Sequence, residues 1–169
     1  MVIQSEEEKD CEEIYDVVKI AFSTAEHTDG NEQDLVIDLR RSEAYIPELS
    51  LIAEVDGDIV GHIMFTKAII GDNEVLALAP LSVLPKHQRQ GIGAKLISEG
   101  HRITIELGYN YSVVVGSEVY YPKFGYIPAY KFGIDDLNGV PKENLIAIKL
   151  KNKAKKLCGR IIYSKEFGI

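Results

Sequence analysis

The stretch HQRQGIG, His87 to Gly93, follows the apolar run LALAPLSVLP and precedes AKLISEGHRITIELG, a segment with helical periodicity. A chain leaving a buried strand needs one glycine to turn, yet Gly91 and Gly93 both stand where the helix should begin. The first amides of a helix have no partner within it, and the aligned peptide dipoles leave that end partly positive. Removing two Cβ atoms there lets a diphosphate touch several main-chain N–H groups at once. The competing reading is a flexible turn before an ordinary helix.

Three kinds of phosphate loop meet this pattern. A mononucleotide loop needs Gly-Lys followed by Ser or Thr, and Gly93-Ala94-Lys95-Leu96 does not supply it. A dinucleotide fold wants a third glycine where Leu96 stands, and an acidic residue where the next strand ends in Gly116-Ser117. A coenzyme A loop is the third.

The elements that must position such a loop form one series. A short strand at Val2 to Gln4 is followed by Ser5 and Glu8, spaced as a capping box, and by Cys11, Ile14, Val17, Val18, Ala21 and Phe22 at helical intervals. The first helix is therefore expected over about residues 6 to 22. A weaker second helix holds Leu35, Val36 and Leu39 behind an Asn31 cap. Strand-like runs flank the Asp56-Gly57 turn, and a third strand from about Glu74 to Leu84 completes an antiparallel meander. The third helix, about Gly91 to Leu107, puts Ile92, Leu96, Ile103 and Leu107 on one face and stops at Gly108. YSVVVG then reads as a buried strand, and a strand, helix and strand in that order favour a parallel pair. SEVYYPKFGY reads as a short helix ending at Gly125, and strands near Tyr126 to Phe132 and Leu145 to Leu150 as a late hairpin. The fold class is α/β, a mixed sheet with helices on both faces.

At 169 residues this is expected to be a single domain, residues 1–169. The composition, 46% hydrophobic and 27% charged, is that of a soluble globular protein, and no apolar run has the length of a membrane span. The acidic start MVIQSEEEKD argues against export, so a cytoplasmic location is expected. Cys11 and Cys158 are too few for a disulfide framework or a metal cage, so no metal is expected. A net charge of -7 repels nucleic acid on average, and the basic run KLKNKAKKL lacks interleaved aromatics and reads as a solvated strand end.

QRQGIG resembles the Gln/Arg-x-x-Gly-x-Gly/Ala signature of the GCN5-related N-acetyltransferases (GNAT), which lies between the fourth strand and third helix of that fold. The likeness in element order runs from Val2 to about Leu150. PLSVLPKHQRQGIGAKLI and YYPKFGY are most similar to a bacterial and archaeal branch of predicted N-acetyltransferases. The resemblance implies a mostly antiparallel sheet with one central parallel strand pair, and acetyl-CoA as co-substrate. It puts the pantetheine arm and thioester along Leu81, Ser82 and Val83, and the diphosphate on the amides of Arg89, Gln90, Gly91, Ile92, Gly93 and Ala94, with the Arg89 side chain adding charge. The arm would enter a slot between strands that splay near Val83 and Val115.

The implied reaction is direct attack of a neutral amine, from a small molecule or peptide, on the acetyl thioester in a ternary complex. An amide near Val83 would polarise the carbonyl. Tyr121, four residues before Gly125, holds the family position of the tyrosine that stabilises or protonates the departing thiolate. Its duller reading is a core ring with a satisfied hydroxyl. Val114 stands where the family usually has an asparagine. Glu54, Glu74 and Glu118 are open as bases, with none preferred, and His62 reads as a satisfied half-buried histidine. Acidic groups in the loop holding Glu26, His27, Asp29 and Glu32 would attract a cationic amine, against the alternative of a solvated loop. Such folds often self-associate, which admits a homodimer. The rival function is a non-catalytic coenzyme A-binding module or sensor.

Overall fold

A computed structural model describes every residue except Glu26 and His27. The first elements are β1 (Val2–Ser5), a 3-10 turn (Glu8–Asp10), α1 (Cys11–Ser23) and α2 (Glu32–Arg40). Then come β2 (Tyr45–Val55), β3 (Asp58–Ile70) and β4 (Asn73–Val83). A 3-10 turn (Pro85–His87) leads to α3 (Ile92–Leu107), and β5 (Tyr111–Val115) to a 3-10 turn (Tyr121–Phe124). The strands β6 (Ile127–Pro128), β7 (Leu145–Lys149) and β8 (Ile161–Ile162) finish the chain.

All eight strands join one sheet in the order β1-β2-β3-β4-β5-β7-β6, with β8 beside β3. Among the strands of the described residues only β4 and β5 pair in parallel; the other strand pairs are antiparallel. The meander turns at Asp56 and Gly57, whose φ angles are 52 and 85. Ile14, Val17 and Val18 of α1 and Val36 and Leu39 of α2 bury against Ile52, Ile59 and Met64 on one face of the sheet. Ile92, Leu96 and Ile97 of α3 bury against Leu51, Ile63 and Phe65 on the other.

Several expectations are corrected. Ser5 ends β1, and the capping box forms two residues later, where the Glu7 N–H donates to Asp10 Oδ2 at 2.8 Å. The first helix accordingly becomes α-helical only at Cys11. The inward stripe of α3 runs through Ile92, Leu96, Ile97, Gly100 and Thr104, and Leu107 is 43% exposed. The cause is Phe65, whose ring fills the space a side chain on Gly100 would need and so fixes which face of α3 meets the sheet. The expected strand from Tyr126 to Phe132 shrinks to two residues, because Pro128 has no N–H to give a ladder and the chain winds into a 3-10 turn at Ala129–Phe132. β7 lies between β5 and β6, so the late hairpin occupies the edge of the sheet.

Candidate active site

The site is built where β4 stops pairing with β5. Their register holds Leu76 against Ser112 and Ala77 against Val113, and no pair follows. From Phe65↔Leu78 to Ile63↔Leu81, β3 advances two residues while β4 advances three. The extra residue falls at Ala79-Pro80, and a bulge there bends β4 away from β5. The two strands splay beyond it.

Ladder geometry decides which backbone groups face the opening. Leu84 N–H donates to Val60 O at 2.8 Å, and the register Gly61↔Val83, His62↔Ser82, Ile63↔Leu81 carries that alternation onward. Ser82 therefore spends its N–H and C=O on His62 in β3, and those of Leu81 and Val83 turn towards the slot. One of these, Val83 O, accepts the side-chain amide of Gln88 at 3.0 Å. The Ser82 side chain lies on the α1 face, opposite to Leu81 and Val83, which pack with the α3 cluster.

Below the slot, the loop has positive φ at Arg89 (62) and at Gly91 (83), with Gln90 between them in the ordinary region. Such alternation curls successive amides towards one point. Gln90 Nε2 braces the loop on Lys86 O at 3.3 Å. The first helical bond at this end of α3 is Lys95 N to Gly91 O at 3.1 Å, which leaves the amides of Ile92, Gly93 and Ala94 without helical partners. No acidic side chain stands in the first turn to occupy them. The Ile92 side chain is buried, so only its amide is on offer. The two glycines prove to have different reasons. Gly91 adopts a left-handed conformation in open space, whereas a methyl group on Gly93 would overlap the Tyr120 hydroxyl.

The third wall is the turn after β5. Ser117 Oγ accepts the N–H groups of Val119 and Tyr120 at 3.1 and 3.0 Å, setting the Tyr120–Tyr121 pair. The Tyr121 ring packs on Gly116, and edge-on against Tyr120 and Tyr126 with centroids 5.2 and 5.6 Å away. Burial raises its hydroxyl well above the ordinary phenol value. Among the described residues no hydrogen bond is made to that hydroxyl.

Behind it, Tyr126 Oη lies 2.9 Å from both Ser112 Oγ and His101 Nε2. Burial pushes His101 down to about 4, so at neutral pH it accepts the Tyr126 proton. An unfolded histidine titrates near 6.5, so the unfolded chain binds more protons below that value. The stabilisation is complete above pH 6.5 and is lost as pH falls towards 4; it amounts to about 2 kcal/mol once partial exposure is allowed for. Urea midpoints at pH 7.5 and 5 are expected to differ less in His101→Gln than in the parent.

The candidate bases separate clearly. Glu74 opens β4, about 30 Å along the strand from Val83, and accepts the Tyr109 hydroxyl at 3.0 Å. Glu54 ends β2 and is bonded by Gln4 at 3.3 Å. Glu118 lies beyond the end of β5, fixed by Asn144 Nδ2 at 2.8 Å. In the loop between α1 and α2, Glu26 and His27 lie outside the described residues. Glu32 there accepts the Thr28 hydroxyl at 2.6 Å and the Asp29 N–H at 2.9 Å, so it ties down its own loop. His62 is fully buried, not half-buried. Its partners Glu6 and Ser50, and Arg40, which donates to Glu6, went unnoticed in the sequence, where Glu6 reads as one of several helix-start acids.

A slot between splayed parallel strands, over a helix end with free amides, defines an acyl-CoA-handling class of fold. The model of the acetyltransferase (GNAT) family matches residues 11–134, and the chain belongs to that family, whose co-substrate is acetyl-CoA. It is 36% identical over 126 residues to the uncharacterized N-acetyltransferase YjhQ of Escherichia coli K12, an alignment covering 72% of this chain and 67% of YjhQ. The crystal structure of the GNAT family N-acetyltransferase YhbS from Escherichia coli in complex with CoA superposes with a TM-score of 0.89 at 25% identity, over 99% of this chain and 92% of that one. A GNAT family acetyltransferase from Brucella melitensis in complex with acetyl-CoA gives 0.81 at 32% identity, over 98% and 97%. Among the described residues no helix is long and apolar enough to cross a membrane.

Proposed function

We propose that the protein transfers the acetyl group of acetyl-CoA to a primary amine of a small molecule or peptide, by direct attack in a ternary complex. The observation that carries this reading is the set of amides on Ile92, Gly93 and Ala94, left unpaired under a slot into which Leu81 and Val83 turn their backbone groups. These amides, with Arg89, Gln90 and Gly91, hold the diphosphate at the positive end of α3. The pantetheine arm adds to β4 as a further strand would, taking its hydrogen bonds from Leu81 and Val83. Ser82 lends the arm no backbone group, since its N–H and C=O are spent on β3 and its buried side chain faces α1. The Val83 N–H polarises the thioester carbonyl, and Tyr121 donates to the departing sulfur. The complexes of YhbS with CoA and of the Brucella protein with acetyl-CoA support the same donor here.

Calorimetric titration with acetyl-CoA, joined to thiol release in the presence of polyamines, aminoglycosides and peptide N-termini, tests the reading. Binding with transfer to one of these amines is expected. Binding of acetyl-CoA without turnover would instead identify a coenzyme A sensor.

A further inference from the structure

β5 loses its partner on one side before it reaches the slot, since its register with β4 ends at Val113. From there on only β7 holds it, and the last pair of that ladder is Val115↔Leu145. Bonded and unbonded pairs alternate along an antiparallel ladder, so Gly116 and Asn144, next in line, should exchange two hydrogen bonds. One of them forms, from Gly116 N–H to Asn144 O at 2.9 Å. The return bond cannot come from the Asn144 N–H, which is spent on Pro141 O at 2.9 Å in a 3-10 turn (Lys142–Asn144) before β7. The Asn144 side chain takes its place: Nδ2 donates to Gly116 O at 3.0 Å and to Glu118 Oε2 at 2.8 Å.

A side-chain amide nitrogen carries two protons, and both are used here. Among the described residues, Asn144 supplies every hydrogen bond that ties residues 116–119 to the sheet. Between its two anchors lies Ser117, whose Oγ accepts the N–H groups of Val119 and Tyr120 and whose carbonyl accepts that of Tyr121 at 3.3 Å. The Tyr121 ring rests on Gly116, where a Cβ would overlap its edge. Since no hydrogen bond within the described residues holds the Tyr121 hydroxyl, its place is inherited from the backbone at Gly116 and Ser117.

We infer that Asn144 is a positioning residue for acetyl transfer: it fixes the bed of Tyr121 and so sets the distance from the Tyr121 hydroxyl to the thioester sulfur. The inference rests on the acetyl-transfer reading above, in which that hydroxyl donates to the departing sulfur. Asn144 touches neither substrate and acts through Gly116 and Ser117. A misplacement of about 1 Å in a reacting group can cost on the order of a hundredfold in rate. Because the effect passes through one hydroxyl, loss of the Asn144 amide can cost no more than loss of that hydroxyl.

The test is a double-mutant cycle between Asn144→Ala and Tyr121→Phe in the full chain, read first by calorimetry with CoA at pH 9.5. A thiol that ionises near 8.5 is mostly thiolate there, and burial keeps the Tyr121 hydroxyl protonated to meet it. CoA affinity is expected to fall about tenfold in Tyr121→Phe, about fivefold in Asn144→Ala, and no further in the double variant than in Tyr121→Phe. Acetyl-CoA, whose sulfur is uncharged, should bind within about twofold of the parent in all three. Thiol release from acetyl-CoA with spermidine, kanamycin or an alanyl peptide should repeat the cycle in kcat. Asn144→Asp keeps the size of the side chain without its protons, so it should lose at least as much as Asn144→Ala; it also carries the cycle if Asn144→Ala fails to fold. Losses that multiply in the double variant would make Asn144 a general support of the fold and overturn the inference. Parental CoA affinity and kcat in Asn144→Ala and Asn144→Asp would overturn it too, as would a Tyr121→Phe protein that behaves like the parent and so leaves nothing to position. Absence of acetyl-CoA binding by the parent is the separate result that removes the acetyl-transfer reading, and this inference with it.

Discussion

Gly91→Val is expected to weaken acetyl-CoA binding about a hundredfold, while costing the free fold about 1–2 kcal/mol. Gly91 has φ 83, and a Cβ there would meet nothing within 4 Å, so crowding in the free protein is not the cause. A β-branched residue in the left-handed region costs about 1–2 kcal/mol and drives the loop towards another conformation. That change turns the amides of Ile92, Gly93 and Ala94 off their common point, forfeiting hydrogen bonds to a charged group worth about 1.5–3 kcal/mol each. Gly91→Asn separates strain from obstruction, since asparagine tolerates this backbone; about a tenfold loss is expected. Calorimetry on the three proteins reads the series, and an unchanged Kd in Gly91→Val would place the diphosphate elsewhere.

Tyr121→Phe should lower kcat between about tenfold and a hundredfold with little change in acetyl-CoA affinity. Its buried hydroxyl holds its proton more tightly than an ordinary phenol, whereas a thiol ionises near 8.5. Outright transfer of the Tyr121 proton to the thiolate therefore runs uphill. The expected contribution is that of a hydrogen bond to a charged sulfur, about 1.5–3 kcal/mol in the transition state. Since the hydroxyl does not ionise in the working range, the deficit should be the same from pH 6.5 to 9.5. Thiol-release rates across that range check it; a parent-like kcat throughout would return Tyr121 to the role of a packed core ring.

The loop and turns around the slot were far more legible than the side chains that pack across the sheet. Gly91 and Gly93, eight and ten residues after the end of β4 at Val83, mark a helix start by chemistry contained in the loop itself. Asp56-Gly57 marked its hairpin in the same way. The third helix was placed correctly in the chain but rotated in expectation, since its inward face is chosen by the fit of Phe65 against Gly100. The strand expected at Tyr126 to Phe132 stopped at Pro128, which has no N–H for a ladder, so that only Ile127 and Pro128 pair with β7.

What the amino-acid sequence determined by itself was the order of the elements, the sharp turns and the glycine-marked start of the third helix, because backbone preference and helix-end electrostatics act between neighbours in the chain. What only the tertiary structure decided was the splay of β4 from β5, the reason for the second glycine, and the burial of Glu6, Ser50, His62 and Ser82 as one group. Those residues are brought together across β1 to β4, and Gly93 meets Tyr120, by packing between segments far apart in sequence. Such packing depends on the register of strands and on which side chain fills which space, and no local pattern encodes either.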